Sequence, residues 1–184
     1  MVEENQENKK IKIKRHLAVL PKNEYVAVRQ ILLTEPGYQI QWSDQSSEYF
    51  FFYRELGREH LEWIWPFVNQ YYGEYVQDNH LDFNQVKLDR IYVNCQPSHH
   101  PGDWHEDGGP GFTLLYYPDL SIDYGDEAGL EIKGHGIEPY IPNSVLIIPG
   151  DVTHRANMHT QIGKFRFSIA VKFRIILPIP DTAE

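Results

Sequence analysis

The segment SVLIIPGDVTH, residues 144–154, begins as an apolar run and ends in a Pro-Gly-Asp turn followed by a histidine. A short apolar run closed by a turn signal is typical of a buried strand. Five more such runs follow residue 85, each bounded by Gly, Pro, Asn or Asp: VKLDRIYVN, FTLLYY, LEIKG, IEPYI and RFSIAVKFRIIL. Strands that follow one another without helices indicate a β-sandwich or barrel rather than βαβ units. Residues from about 85 to 177 are therefore predicted to form an all-β core.

The first half of the chain has a different pattern. Residues 54–80 repeat apolar side chains at helical spacing, and Pro66 within them predicts a kink or restart, because proline has no N–H for the helical ladder. The segment YVAVRQILL at 25–33 fits either a helix or a strand. Residues 11–84 are predicted to form a helical support for the core, and residues 1–10 a disordered terminus.

The composition is that of a globular protein, with 41% hydrophobic and 23% charged residues among 184, which predicts a single domain over residues 11–184. A net charge of −9 argues against binding bare nucleic acid. The basic run KKIKIKR at 9–15 is interpreted as a solvated chain end. One cysteine, Cys95, excludes an internal disulfide, and no apolar run suits a signal peptide or a membrane helix. We expect a cytoplasmic protein that binds neither nucleic acid nor membrane.

Residues that suit metal binding lie in the loops of the predicted core. His105 and Asp107 stand two apart in PGDWHEDGG, residues 101–109, and in an extended backbone such residues point to the same side. They form either a hydrogen-bonded loop pair or two ligands of one metal. His154 is expected to be exposed, and alone it fits a surface histidine. Two histidines and one carboxylate on one ion leave three adjacent positions open, as in non-haem Fe(II) oxygenases.

The last predicted strand, RFSIAVKF at 166–173, places Arg166 and Ser168 on one face. A guanidinium matches a carboxylate with two parallel hydrogen bonds, which a lysine does not. The same alternation also fits the solvent-facing side of an edge strand. Tyr92 and Tyr117 stand at strand positions, where their hydroxyls either bind a carboxylate or belong to an aromatic core.

Taken in order, these motifs resemble the 2-oxoglutarate and Fe(II)-dependent dioxygenases, specifically the prolyl-hydroxylase-like branch. The resemblance runs from about Arg90 to Phe173 and rests on six motifs: RIYVN, His-x-Asp, TLLYY, AGLEI, PGDVTH and RFSIAVKF. It implies a mainly β protein with N-terminal helices around an eight-stranded double-stranded β-helix, a jelly-roll or cupin-like core. The usual Gly-Gly before the middle strand is Ala128-Gly129 here.

The resemblance also implies roles for particular residues. Three side chains would bind Fe(II): His105, Asp107 and His154. Arg166 would bind the distal carboxylate of 2-oxoglutarate, assisted by hydroxyl groups of the core: Tyr117, Tyr92 and Ser168. Arg166 lies twelve residues after His154 rather than the family's nine or ten, and Lys164 occupies the tenth position. Arg166 is preferred because Lys164 falls in a Gly-Lys turn.

The implied activity is a hydroxylation that uses O₂ and converts 2-oxoglutarate to succinate and CO₂. The implied substrate is a prolyl residue of a peptide or protein, with small molecules as the alternative. An acidic loop at 118–127 would either steer a basic peptide or be solvated: Asp119, Asp123, Asp126 and Glu127. A rival function is a cupin-type metal-binding protein or isomerase without 2-oxoglutarate chemistry, and another is a barrel that has lost catalysis. Arg166 distinguishes the oxygenase from the cupin-type rival, because a cupin needs no buried cation beside its metal.

Overall fold

A computed structural model describes residues 12–44, 48–57, 60–118 and 125–177. The terminus predicted to be disordered, residues 1–10, lies outside these ranges. So do Asp119 and Asp123 of the predicted acidic loop, and the side chains of Asp126 and Glu127 are likewise not described.

The described residues form ten strands and two α-helices. In chain order these are β1 Lys14–Leu17, α1 Lys22–Thr34, β2 Gln39–Trp42, β3 Phe50–Glu55, α2 Leu61–Asp78, β4 Val86–Pro97, β5 Gly111–Tyr117, β6 Gly125–Ile132, β7 Gly136–Tyr140, β8 Ser144–Pro149, β9 His154–Ala156 and β10 Phe165–Ile175.

The strands form two antiparallel sheets. The larger sheet has the order β1-β8-β5-β10-β4-β3-β2, and the smaller sheet has the order β7-β6-β9. Strand β10 lies in the middle of the larger sheet, where Ala170 pairs with Tyr92 on one side and with Leu115 on the other. The alternative reading of the last strand as an edge strand is therefore wrong.

All six predicted apolar runs are strands, but the N-terminal half differs from its prediction. Between residues 85 and 177 the structure has seven strands rather than eight, and residues 11–84 add three strands to the larger sheet. Strand β1 is short and basic, so its pairing with β8 depends on backbone hydrogen bonds that leave no apolar pattern. Within the basic run at 9–15, Arg15 is held by Glu138 and the carbonyl of Pro139, and is not part of a solvated end.

Helix α2 continues through Pro66 without a restart. Pro66 removes a single N–H from the helical ladder, and residues on both sides of it are buried against the sheet, among them Ile64, Phe67 and Val68. Burying side chains of this size stabilises by about 1.5–3 kcal/mol each, which offsets the lost hydrogen bond. Segment 25–33 lies within helix α1. Neither helix has the length and apolar character needed to cross a bilayer.

The larger sheet has a hydrophobic cluster on each face. On one face, residues such as Val93 and Ile169 pack against both helices. On the other face, residues such as Leu115 and Leu146 pack against Leu130 of the smaller sheet. Because side chains alternate along a strand, the polar residues of β4 and β10 that share this second face point between the two sheets. The candidate site is built there.

Candidate metal centre

His105 lies in a loop and His154 begins strand β9, and the two residues are joined through their backbones. They form an isolated antiparallel bridge, in which His105 N donates to His154 O at 3.0 Å and His154 N donates to His105 O at 2.9 Å. The two imidazole ring centres are consequently 4.5 Å apart. This bridge brings together two histidines that are distant in the sequence.

The turn that precedes His154 packs against the loop that follows Asp107. Gly150 N donates to Gly111 O at 2.9 Å, and Gly108 N donates to Gly150 O at 3.2 Å. A Cβ atom on Gly150 would meet the Gly108 carbonyl oxygen at 3.2 Å, and one on Gly111 would lie 2.2 Å from the carbonyl oxygen of Phe173. Glycine is needed at Gly111 because no side chain fits so close to a backbone atom. These contacts hold Asp107 beside the two histidines.

Each of the two imidazoles is oriented by a backbone carbonyl. His105 Nδ1 lies 2.8 Å from Asp103 O, and His154 Nδ1 lies 2.8 Å from Val152 O. A carbonyl oxygen only accepts hydrogen bonds, so Nδ1 carries the proton and Nε2 keeps its lone pair. Metal-binding histidines are commonly fixed by such a bond at the other ring nitrogen.

The two Nε2 atoms face the carboxylate of Asp107. His105 Nε2 lies 3.7 Å from Asp107 Oδ1, and His154 Nε2 lies 3.9 Å from Asp107 Oδ2. The three ligand atoms lie within 4.8 Å of one another. Ligands that each bind one ion at about 2 Å lie at most about 4 Å apart, so only a small movement would let all three bind the same ion. Lone pairs that face a carboxylate at these distances repel one another unless a cation lies between them. The donor set therefore fits a divalent metal ion.

Burial distinguishes the three ligands. The side chain of His105 is 47% exposed, whereas those of Asp107 and His154 are 5% and 6% exposed. The expectation that His154 would be exposed is wrong. His154 is the first residue of strand β9, and it pairs with Ile132 of strand β6 in the smaller sheet. Burial lowers the pKa of His154, and the nearby Asp107 charge only partly opposes this effect. A neutral imidazole is the form that binds a metal.

Asp107 is held by two further side chains. Thr113 Oγ1 donates to Asp107 Oδ2, and the Lys172 ammonium forms an ion pair with Asp107 Oδ1. Burial alone would raise the pKa of Asp107, but the charges of Lys172 and His154 and the hydrogen bonds from Lys172 and Thr113 lower it. Sequence reasoning missed Lys172, although the alternation that pairs Arg166 with Ser168 also places Lys172 on that face.

Arg166 is 2% exposed and lies inside the protein. Its Nε donates to Ala128 O at 2.6 Å, its Nη1 to Gln96 Oε1 at 3.2 Å and its Nη2 to Tyr117 Oη at 3.3 Å. No carboxylate among the described side chains forms an ion pair with it. Lys164, the alternative anchor, is exposed in a turn before β10. A guanidinium buried without a carboxylate partner has the charge and geometry that suit an anion.

The three hydroxyl residues assigned to 2-oxoglutarate occupy different positions. Tyr117 is buried and bonded to Arg166, and Ser168 is buried two residues along the same face of β10. Tyr92 lies farther along that face, and its ring is approached by the cations of Arg90 and Lys172 at 5.0 and 5.4 Å. Gln96, which sequence reasoning missed, shares the face of Tyr92 on β4 and bonds Arg166.

A cavity of about 380 Å³ is lined by residues from both the metal cluster and the surroundings of Arg166. Its walls include His105 of the metal cluster, Arg166 and Lys172 of strand β10, and Tyr92 and Gln96 of strand β4. Volumes of about 300–1,000 Å³ are usual for small-molecule pockets. The cavity is thus large enough for a small co-substrate next to the metal cluster.

No protein-family model and no curated protein matches this sequence. Solved structures do match. An oxidoreductase of the 2OG-Fe(II) oxygenase family from Burkholderia pseudomallei gives a TM-score of 0.64 at 11% identity, covering 88% of this chain and 84% of its own. The viral collagen prolyl hydroxylase of Paramecium Bursaria Chlorella virus-1, in complex with 2OG, gives 0.66 at 8% identity, covering 89% and 96%. The epimerase SnoN, in complex with Fe³⁺, alpha-ketoglutarate and nogalamycin RO, gives 0.69 at 11% identity, covering 95% and 88%.

These similarities extend over most of each chain, while the sequence identities are 8–11%. They therefore concern the course of the backbone and not the chemistry of individual side chains. The fold of this chain is that of the 2-oxoglutarate and Fe(II)-dependent oxygenases.

Proposed function

We propose that this chain is a 2-oxoglutarate and Fe(II)-dependent oxygenase that hydroxylates its substrate on a double-stranded β-helix core. Residues 11–184 act as one domain, because strands β4, β5, β8 and β10 contribute to both hydrophobic clusters. Cytoplasmic location and the lack of nucleic-acid binding remain predictions from the sequence.

The single observation that carries the proposal is the position of Arg166. It opens onto the same cavity as His105 of the metal cluster, and it has no carboxylate partner among the described side chains. In the proposed complex, His105, Asp107 and His154 hold Fe(II), and Arg166 holds the far carboxylate of 2-oxoglutarate with Tyr117. Bound iron supplies the oxidation chemistry: 2-oxoglutarate and O₂ yield succinate and CO₂ as one oxygen atom enters the substrate.

The residues of the chain have defined tasks in this reaction. The carbonyls of Asp103 and Val152 keep both Nε2 atoms available as ligands, and Thr113 fixes the carboxylate of Asp107. Ala128 O and Gln96 accept hydrogen bonds from Arg166 and so fix the orientation of its guanidinium. Such prior orientation reduces the entropy lost when a co-substrate binds.

We propose a prolyl residue of a peptide or protein as the substrate, with a small molecule as the alternative. The similar structures support both: one is a collagen prolyl hydroxylase and another is an epimerase bound to nogalamycin RO. The rival function, a cupin-type metal protein or isomerase, leaves the burial of Arg166 beside the metal cluster without a purpose. A buried cation that binds no anion costs several kcal/mol.

The test is an anaerobic titration of Fe(II)-loaded protein with 2-oxoglutarate. Chelation of the iron by the keto and carboxylate oxygens should produce a weak visible charge-transfer band that saturates at one equivalent per chain. A metal-binding cupin without 2-oxoglutarate chemistry gives no such band. The matched control is Asp107→Ala, which removes a ligand and should abolish the band in protein that is still folded.

A further inference from the structure

Two cations lie next to each other in the cavity, away from Arg166. Lys172 of β10 stands directly opposite Arg90 of β4 in the sheet register. Both line the cavity, and both approach the ring of Tyr92, with Arg90 Cζ at 5.0 Å and Lys172 Nζ at 5.4 Å. Lys172 is 5% exposed, whereas Arg90 is exposed at the mouth. The positive charge therefore extends from the rim to the metal cluster.

The charge of Lys172 is not balanced once the site is loaded. Its partner is Asp107, which the proposed iron would bind. A divalent ion, one carboxylate ligand, the dianion of 2-oxoglutarate and Arg166 are together neutral. Lys172 and Arg90 then remain as two positive charges, and Arg90 forms no ion pair with any described carboxylate. Because a buried charge is normally paired, Lys172 needs an additional anion once iron binds Asp107, and the exposed Arg90 adds positive charge beside it.

The two acids that line the cavity do not meet this need. Asp103 accepts hydrogen bonds from Ser43 Oγ and from Asp44 N, so its carboxylate is already used at the rim. Asp44 is exposed at the end of the segment that follows β2. The two acids lie outside the contacts formed by Arg90 and Lys172 around Tyr92.

The remaining wall of the cavity is aromatic. Trp42 and Phe51 of strands β2 and β3 line it, and so does Tyr53, whose ring centre lies 5.4 Å from that of Tyr92. Aromatic walls favour an apolar body, and a few polar groups then fix the orientation of the ligand. A ligand suited to this part of the cavity combines an apolar body with an anionic end.

We propose that the substrate carries a carboxylate close to the carbon that reacts, and that Lys172 and Arg90 bind this carboxylate beside Tyr92. The inference rests on the proposed function and narrows its substrate class. The carboxylate belongs either to a small acid or to an acidic side chain that flanks the reacting residue in a peptide. Neutral and basic substrates are disfavoured, because they would leave the buried charge of Lys172 without an anion.

The test measures binding to protein loaded with Fe(II) and 2-oxoglutarate without oxygen, by calorimetry, while the visible band shows that the co-substrate stays bound. One probe pair is 3-phenylpropanoate and 3-phenylpropanamide, which differ in charge and little in shape. The second pair is the blocked dipeptides acetyl-Pro-Glu-amide and acetyl-Pro-Gln-amide. The acid of at least one pair should bind roughly tenfold or more tightly than its amide. The pair that discriminates identifies the source of the carboxylate.

Three variants assign the preference to the two cations. Lys172→Gln should remove the preference for the acid, and Arg90→Gln should reduce it by roughly threefold to tenfold, because that side chain is more exposed. Lys87→Gln is the matched control: it removes a positive charge from an exposed position of the same strand, outside the cavity, and should leave the preference unchanged. Arg90→Gln alters an exposed side chain, so it keeps the test valid if Lys172→Gln unfolds.

The outcomes separate this inference from the proposed function. A normal band with equal binding, or no binding, of acid and amide in both pairs overturns the carboxylate site and leaves the oxygenase assignment intact. A preference that survives both Arg90→Gln and Lys172→Gln also overturns it. If Lys172→Gln weakens only iron binding and keeps the preference for the acid, Lys172 merely positions Asp107 and the inference fails for that residue. Absence of the band in wild-type protein contradicts the proposed function itself.

Discussion

Replacing Arg166 by alanine should weaken 2-oxoglutarate binding strongly and leave Fe(II) affinity nearly unchanged. The guanidinium is 2% exposed, and its hydrogen bonds go to Ala128, Gln96 and Tyr117 rather than to the metal cluster. Removing one partner of a buried, charge-assisted pair costs about 2–5 kcal/mol. At ~1.4 kcal/mol per decade, this is roughly 30-fold to several-thousand-fold in the dissociation constant.

The assay reads the 2-oxoglutarate dissociation constant of each variant from the visible band of the anaerobic iron complex. Arg166→Lys should fall between alanine and wild type, because it keeps the charge and loses the planar fork. Lys164→Ala is the control, and it should change the constant by less than about twofold because this lysine is exposed in a turn. Thermal unfolding of each variant establishes that the fold is kept.

Two results would refute this reasoning. If Lys164→Ala abolishes binding and Arg166→Ala does not, the wrong residue of the last strand has been assigned as the anchor. If neither substitution changes the constant, 2-oxoglutarate binds elsewhere or not at all.

Three further predictions concern the metal cluster and its supporting loops. Asp107→Ala should lower Fe(II) affinity by more than about 100-fold, and Thr113→Val should lower it by about 10–100-fold. Competition with a chromogenic chelator measures both affinities. Equal affinities in the wild type and the two variants would contradict the ligand assignment. Burial lowers the pKa of His154 from its ordinary 6.5, so below that pH the unfolded chain binds more protons than the folded one. The unfolding free energy of metal-free protein should therefore fall as the pH drops below 6.5, by at most about 1.4 kcal/mol per unit from this group, and His154→Asn should flatten the slope in urea titrations. Gly111→Ala should destabilise the protein by about 1–3 kcal/mol, because its Cβ would lie 2.2 Å from a carbonyl oxygen of β10. Gly73→Ala in helix α2 should stabilise the protein by about 0.5–1 kcal/mol, because its Cβ would meet no described atom within 4 Å. Equal unfolding midpoints for these two glycine variants would show that the close approach at Gly111 is tolerated.

The strands of the second half were predictable because each is an apolar run closed by a local turn signal. Strands β1 and β2 carry no such signal: β1 is basic, and all four residues of β2 are exposed at the edge of the sheet. Strand β1 pairs with the distant β8 through backbone groups, which a local pattern does not report, and β2 pairs with the next strand, β3, at the edge of the sheet. Helix α2 crosses Pro66 for a related reason, since tertiary packing outweighs one missing hydrogen bond.

The metal cluster was predictable only as an ordered set of motifs that resemble a known family. His154 was expected to be exposed because the sequence does not show that β9 pairs with β6. The ion pair between Lys172 and Asp107 joins a central strand to a loop and follows from the fold alone. Strand alternation could have placed Lys172 on the same face of β10 as Arg166, and the pairing of β10 with β4 sets Gln96 opposite Arg166.

The most direct test of the central claim is the conversion of 2-oxoglutarate labelled at its first carboxylate. Fe(II)-loaded protein should release labelled CO₂ and an equal amount of succinate when O₂ is admitted, slowly even without substrate. Release should stop without O₂, without Fe(II) or in the Asp107→Ala variant. If the label stays in 2-oxoglutarate, or if Asp107→Ala releases it as fast as wild type, the oxygenase assignment is contradicted.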